Sequence, residues 1–161
     1  MAMTDLGAVR EESGLRRPMR PAAGGLPAVA PRSAQSLLDA AERCLADAAR
    51  AGDPPERYVA AHLAALRAAA AVLAARARPA DHAVRARRPT SVWVLLAVLA
   101  PELGEWATFF AAGAAKRQAA EAGVRTAIGQ READDLMRDA ETFIATVRSV
   151  VGSPWQLRPA G

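Results

Sequence analysis

Two arginine–histidine pairs are the residues of this 161-residue chain whose types suit a chemical reaction. Arg57 and His62 are separated by four residues, and Arg76 and His82 are separated by five. An imidazole titrates near neutral pH and can move a proton, while a guanidinium neutralises charge that grows on a phosphate. Such a pair suits metal-free cleavage of RNA, so Arg57 and His62 are the candidate catalytic residues.

His62 also has a structural interpretation, because it falls within the apolar stripe of a predicted helix, one turn from Tyr58 and one turn from Leu66. A neutral imidazole with one hydrogen bond is tolerated in a core or an interface. Five helical positions turn a side chain by roughly 140°. Arg57 and His62 would therefore share a site only if the first turn is unwound or a second subunit completes it.

A run of arginines between residues 76 and 88 is the second candidate site. Its members are Arg76, Arg78, Arg85, Arg87 and Arg88. They are opposed only by Asp81, so the segment has a local excess of +4, equal to the net charge of the whole chain. Guanidinium groups hold phosphates through paired hydrogen bonds, which predicts binding of RNA or another phosphate-bearing ligand. A solvated loop is the plainer interpretation, since the run itself contains no aromatic residue for base stacking and the next one after it is Trp93.

The residues of several common enzyme sites are absent from the sequence. It has no phosphate-cradling glycine loop, no Glu-x-x-His pair and no serine nucleophile elbow. Two histidines and the single Cys44 leave a zinc site short of ligands and exclude an internal disulfide. We expect no metal and no cofactor. The late carboxylates Asp134, Asp135, Asp139 and Glu141 are expected to form a solvated helix face or to meet an arginine elsewhere.

Helical periodicity with capping signals accounts for most of residues 33–151. The predicted helices run over Ala34–Arg50, from an Asp53 cap to Arg76, and over Ser91–Ala100, Glu102–Ala122 and Gln130–Val151. Each carries an apolar stripe, and strand-forming residues are scarce. Stripes of this kind are buried only against one another. The predicted fold is therefore all-α, an antiparallel bundle of four to five helices.

The two ends of the chain lack the helical periodicity of this bundle. Residues 1–32 hold four prolines and five arginines without any period, which predicts a disordered basic arm, or else an arm that grips an anionic partner. Residues 152–161 are expected to be a loose tail. The arm lacks the apolar core of a signal peptide, and the most apolar stretch, Val92 to Ala100, is about half the length of a membrane span. We expect a cytoplasmic protein without membrane association, in which that stretch is a buried helix.

The segment from Arg57 to Leu73, in which Tyr58 and His62 precede an alanine-rich stripe, resembles the second helix of HEPN domains. Residues 102–107 and 131–140 look like the actinobacterial SAV-type branch of that superfamily, and the resemblance covers residues 33–151. It implies a bundle of four to five helices that commonly forms homodimers. Many members are metal-independent ribonucleases of toxin–antitoxin, defence or stress systems. Their signature is an arginine, four to six residues and a histidine, normally late in the bundle.

The chain departs from that signature. No histidine follows His82, and Tyr58 follows Arg57 at the position where the family usually has a polar residue. The prediction is therefore a HEPN-like, non-catalytic module for RNA or nucleotide binding or for protein interaction, homodimeric through an apolar helix face. One alternative is a metal-independent endoribonuclease that uses Arg57 and His62 across a homodimer. The other is a helical effector-binding or scaffold domain.

Overall fold

The structure is a computed structural model that describes residues 33–77, 91–124 and 128–153. Every regular element within those ranges is helical: α1 (Ala34–Arg50), α2 (Pro54–Arg76), α3 (Val92–Leu99), a 3-10 turn (Pro101–Leu103), α4 (Gly104–Glu121) and α5 (Gln130–Gly152). This confirms the predicted all-α bundle. The predicted arm, residues 1–32, and all but the first two residues of the predicted tail lie outside the described residues.

Capping side chains begin three of the helices, as their residue types predict. Ser33, Asp53 and Ser91 accept hydrogen bonds from backbone amides in the first turns of α1, α2 and α3, at 3.1, 2.9 and 3.3 Å. The third and fourth helices differ slightly from prediction, because the 3-10 turn separates them. Pro101 starts that turn, since it has no N–H to continue the α3 ladder. Gly123 follows α4 with a φ of +91°, a conformation that suits glycine.

The central helix of the bundle is α2, against which α1, α3, α4 and α5 all pack. Its small side chains make this possible, since six of its alanines are buried: Ala61, Ala64, Ala65, Ala68, Ala69 and Ala71. The single stripe predicted for α2 was too narrow, because burial extends around much of the helix while Leu63 and Leu66 are only partly covered. By length and composition α2 could cross a bilayer, but 56% of its apolar window is buried inside the bundle.

The few aromatic residues are concentrated where α3, α4 and α5 meet. Trp93 of α3 and Trp106 of α4 both stack on Phe110, with ring centroids 5.3 and 5.9 Å apart. Phe143 of α5 lies 5.2 Å from Phe110. Phe110 and Phe143 are fully buried. Ring pairs of this kind stabilise a fold by more than the apolar surface that they bury. The cluster therefore holds the three helices together.

The helices α4 and α5 leave an open cleft between them. Helix α5 packs along α1 and α2, whereas α4 packs on α2 and α3. The last buried side chain of α4 is that of Phe110, so the second half of the helix is only partly covered. The cleft that results has a volume of about 820 Å³.

Candidate functional site

His62 is fully buried at the centre of the bundle. Its Nε2 lies 2.8 Å from the carbonyl oxygen of Phe110 on α4. Since a carbonyl only accepts, Nε2 donates, and in the neutral ring the other nitrogen, Nδ1, then carries no proton. Nδ1 has no hydrogen-bond partner in the described part of the chain. The rings of Trp93 and Phe110 meet the imidazole edge to face, at centroid distances of 5.8 and 6.0 Å.

Burial lowers the pKa of His62, and the hydrogen bond to Phe110 only partly opposes that effect. The ring is therefore neutral at physiological pH. A general base must lie within hydrogen-bond reach of the proton that it takes. The His62 ring is sealed from solvent by the aromatic side chains around it. In this arrangement the imidazole serves as a hydrogen-bonding core residue.

Arg57, the other half of the candidate catalytic pair, joins three helices. Its Nη1 lies 2.5 Å from a carboxylate oxygen of Asp134 on α5. Its Nε and Nη2 donate to the carbonyls of Ala48 and Ala51, both at 3.2 Å, where α1 ends. The last carbonyls of a helix lack their usual intrahelical donors, and Arg57 adds one to each of these two, although the Ala48 carbonyl also accepts from the Ala51 amide at 3.3 Å. No hydrogen bond or ion pair connects Arg57 to His62 in the ranges described.

The sequence predicted that the late carboxylates either face solvent or meet an arginine elsewhere in the chain. For Asp134, that arginine is Arg57. Hydrogen bonds from Gln130 and then from Arg57 lower the pKa of Asp134. Arg138 forms an ion pair with Asp135 one turn away on the surface of α5, as residues three positions apart on a helix commonly do.

Arg76 is the one described member of the basic run, and it is engaged in the fold. Its Nη1 donates to the carbonyl of Leu99 at 3.1 Å, and its Nη2 forms an ion pair with Glu102. Only 11% of the side chain is exposed. Arg76 therefore joins the end of α2 to the end of α3 and to the turn before α4. Arg78, His82, Arg85, Arg87 and Arg88 lie outside the described residues.

The outer side of α3 is a surface that the sequence interpretation missed. Trp93 and Leu96 of α3 are buried, but Val94 and Val98 are 56% and 68% exposed, one turn apart. Ala97 lies exposed between them. The stretch was expected to be a buried helix. The composition of α3 could have predicted this surface. Eight consecutive apolar residues leave an apolar face outward whichever side of the helix packs inward.

Metal and thiol chemistry find no support in the described residues. No group of three or more His, Cys, Asp or Glu side chains there is arranged to hold a metal ion. Cys44 is buried, and its Sγ lies 2.6 Å from Nη1 of Arg67. Burial raises the pKa of the Cys44 thiol, so it remains protonated and packs as a small core residue.

A helical bundle built around α2 is the fold that the HEPN resemblance implies. The model of the SAV_6107-like HEPN family matches residues 48–148, which is more than half of the chain. The chain therefore belongs to the SAV_6107-like HEPN family. The match runs from the end of α1 into the last turns of α5. Comparison with the curated proteins and with the solved structures finds no match.

Proposed function

We propose that this chain is a non-catalytic HEPN module that works by association, and that its first partner is a second copy of itself. The observation that carries this proposal is the apolar outer face of α3, formed by Val94, Ala97 and Val98. A helix that is apolar all round is normally buried on every side. Here one side packs on the bundle and the other meets water.

Association of two α3 faces removes this apolar surface from water. Fully burying one valine side chain is worth about 1.5–3 kcal/mol relative to leaving it exposed. A twofold axis brings the same patch of each copy together, so an apolar patch is complementary to itself without any further feature. Val94 and Val98 lie on one face at adjacent turns, which allows the two helices to pack side by side.

Light scattering of the purified full chain tests this proposal. We expect the mass of a dimer for the wild type and the mass of a monomer for Val98→Glu, because the glutamate places a charge in the apolar contact. Val124→Glu is the matched control, since Val124 is similarly exposed but follows α4. A wild type that is monomeric at all concentrations, or a Val98→Glu variant that remains dimeric, would contradict the proposal.

The non-catalytic part of the proposal is supported by the engagement of both candidate residues. His62 is sealed in the core and donates to a backbone carbonyl. Arg57 directs its guanidinium to the end of α1 and to Asp134, away from any shared site with His62. An endoribonuclease that uses this pair across a homodimer would have to break these contacts in both subunits.

RNA binding through the basic run is the second candidate function, and the charge distribution favours it. Residues 76–88 have the same net charge as the whole chain, which is +4. Contacts to phosphate release counterions, so affinity would fall steeply with salt. Because Arg76 is held by Leu99 and Glu102, the contacts would come from the other arginines of the run, Arg78, Arg85, Arg87 and Arg88.

Affinity for a labelled RNA hairpin, measured against salt concentration, tests this second candidate. We expect replacement of Arg85, Arg87 and Arg88 by glutamine to weaken binding and to flatten the salt dependence. Replacement of Arg50, Arg138 and Arg148 by glutamine removes the same charge from exposed positions elsewhere, so it separates local contacts from general attraction. Equal losses in the two variants would contradict a site in the basic run.

A further inference from the structure

The cleft between α4 and α5 has the size and the lining of a small-molecule site. Its volume of about 820 Å³ lies within the range of ligand pockets in proteins. Its wall includes side chains from three helices: Tyr58 of α2, Phe109 and Lys116 of α4, and Leu136 and Asp139 of α5. Apolar surface and a few polar groups therefore converge on one open space.

Tyr58 presents an unused hydroxyl to this cleft. The side chain is only 5% exposed, and its hydroxyl makes no hydrogen bond within the described part of the chain. The hydroxyl fits against α4 only because residue 113 is a glycine. A Cβ at Gly113 would lie 2.8 Å from the hydroxyl oxygen, which is too close. The hydroxyl oxygen still reaches the open space of the cleft, so it can form a hydrogen bond with a molecule there. A polar group of a bound molecule would provide the missing partner.

Most of the charged groups around the cleft are already neutralised by ion pairs. Lys116 pairs with Glu132 between α4 and α5, and Asp135 pairs with Arg138. Arg131 lies in solvent near one end. Asp139 is partly buried and has no hydrogen bond or ion pair among the described residues. It lies eight positions after Arg131, roughly 12 Å along α5, so the two do not neutralise each other.

Aromatic rings accompany the unpaired Asp139 carboxylate. Asp139 also lines a smaller adjoining recess with Glu105, Trp106 and Phe109. The rings of Trp106 and Phe109 meet edge to face with centroids 6.3 Å apart, and Phe109 is among the exposed large apolar residues. Carboxylates beside aromatic faces attract cations, while Glu105 and Asp139 together repel an anion.

We propose that the cleft binds an organic cation, a primary amine or a guanidinium carried on an apolar body. Asp139 is the counter-ion, Phe109 and Leu136 contact the apolar body, and the Tyr58 hydroxyl bonds a polar group of the ligand. The residues of this site do not include those of the α3 outer face. The proposal therefore does not depend on whether the chain dimerises through α3.

Calorimetric titration of the full chain with two probes of the same body tests the proposal. The probes are 4-phenylbutylamine, which is a cation, and 4-phenylbutan-1-ol, which is neutral. We expect saturable binding of the amine, about tenfold tighter than the alcohol, since one charge–charge contact in a partly screened cleft has this order of effect. Absence of saturable amine binding, or equal affinity for the two probes, would overturn the proposal.

Two isosteric variants locate the cation. Asp139→Asn should lose the preference for the amine while still binding the alcohol, because the apolar contacts remain. Asp135→Asn is the matched control, since Asp135 lines the same cleft but is already paired with Arg138. It should keep the preference to within about twofold. A preference that survives Asp139→Asn, or one that Asp135→Asn abolishes equally, would show that Asp139 is not the counter-ion.

Discussion

At the scale of single residues, the centre of this protein is a histidine that acts as a core side chain. The sequence placed His62 on the apolar side of a helix, and the structure agrees with that placement. Its partner was not predictable, because the Phe110 carbonyl belongs to another helix 48 positions later and backbone groups leave no trace in a side-chain pattern. The position of the Tyr58 hydroxyl beside Gly113 was not predictable either, because the two residues lie on different helices.

Burial of His62 predicts a loss of stability in mild acid. Its pKa is lowered in the folded state, so below about pH 6.5 the unfolded chain binds a proton that the folded chain excludes. Stability should fall as the pH drops through this window. His62→Gln keeps an N–H donor for the Phe110 carbonyl but cannot be protonated, so its free energy of unfolding should vary less between pH 7 and pH 5. Urea denaturation at several pH values measures the difference.

The second histidine gives the matched control for this prediction. His82→Gln should leave the acid dependence of the wild type unchanged. If His82→Gln reduces that dependence as much as His62→Gln does, the titrating group is not the buried imidazole.

Gly113 is expected to resist a substitution that helices usually favour. Alanine is preferred over glycine in a helix by about 1 kcal/mol, but here its Cβ would lie 2.8 Å from the Tyr58 hydroxyl oxygen and 3.3 Å from Cδ2 of His62. Gly113→Ala should therefore lower the melting temperature. Gly104→Ala is the control, because nothing lies within 4 Å of a Cβ there.

Removal of the Tyr58 hydroxyl should relieve part of this conflict. The double variant Gly113→Ala/Tyr58→Phe is expected to melt above Gly113→Ala, since the closest oxygen is gone. Strictly additive effects of the two substitutions would show that this oxygen is not what excludes a side chain at position 113.

At the scale of helices, two arginines that first looked suited to phosphate chemistry hold helix ends together. Arg57 joins the end of α1 to α5, and Arg76 joins the end of α3 to the turn before α4. The helix boundaries were predictable from local signals such as Asp53 followed by proline. The arginine partners were not, because Asp134 is 77 positions from Arg57 and spacing along the chain carries no information at that distance.

Arg57 should matter more for stability than its carboxylate partner does. Arg57→Gln loses the ion pair and the hydrogen bonds to the carbonyls of Ala48 and Ala51, of which Ala48 keeps only the 3.3 Å bond from the Ala51 amide. We expect this loss to cost about 1–3 kcal/mol. Asp134→Asn keeps the donors to both carbonyls and should cost less. Arg50→Gln, which removes an exposed pair with Asp47, is the surface control. Chemical denaturation measures the free energy of unfolding of the three variants. A larger loss for Asp134→Asn than for Arg57→Gln would contradict the prediction.

At the scale of the whole molecule, the fold follows from α2 and its alanines, with an aromatic cluster joining the later helices. The all-α bundle was predictable, because five stripes at helical spacing have few other ways to be buried. The α4–α5 cleft and the outer face of α3 were not, since they depend on which helices separate and which faces remain uncovered. We propose binding at these two surfaces, with the basic run as a second candidate for RNA, and no catalysis by the arginine–histidine pair of this HEPN module.

Incubation of the purified full chain with a structured RNA in excess EDTA tests the assignment of His62 to the framework most directly. The comparison is between the wild type, His62→Gln and a protein-free sample. We predict no cleavage above the protein-free sample for either protein, because the buried imidazole cannot reach a ribose hydroxyl. Cleavage by the wild type that persists in EDTA and disappears in a folded His62→Gln would contradict the non-catalytic assignment.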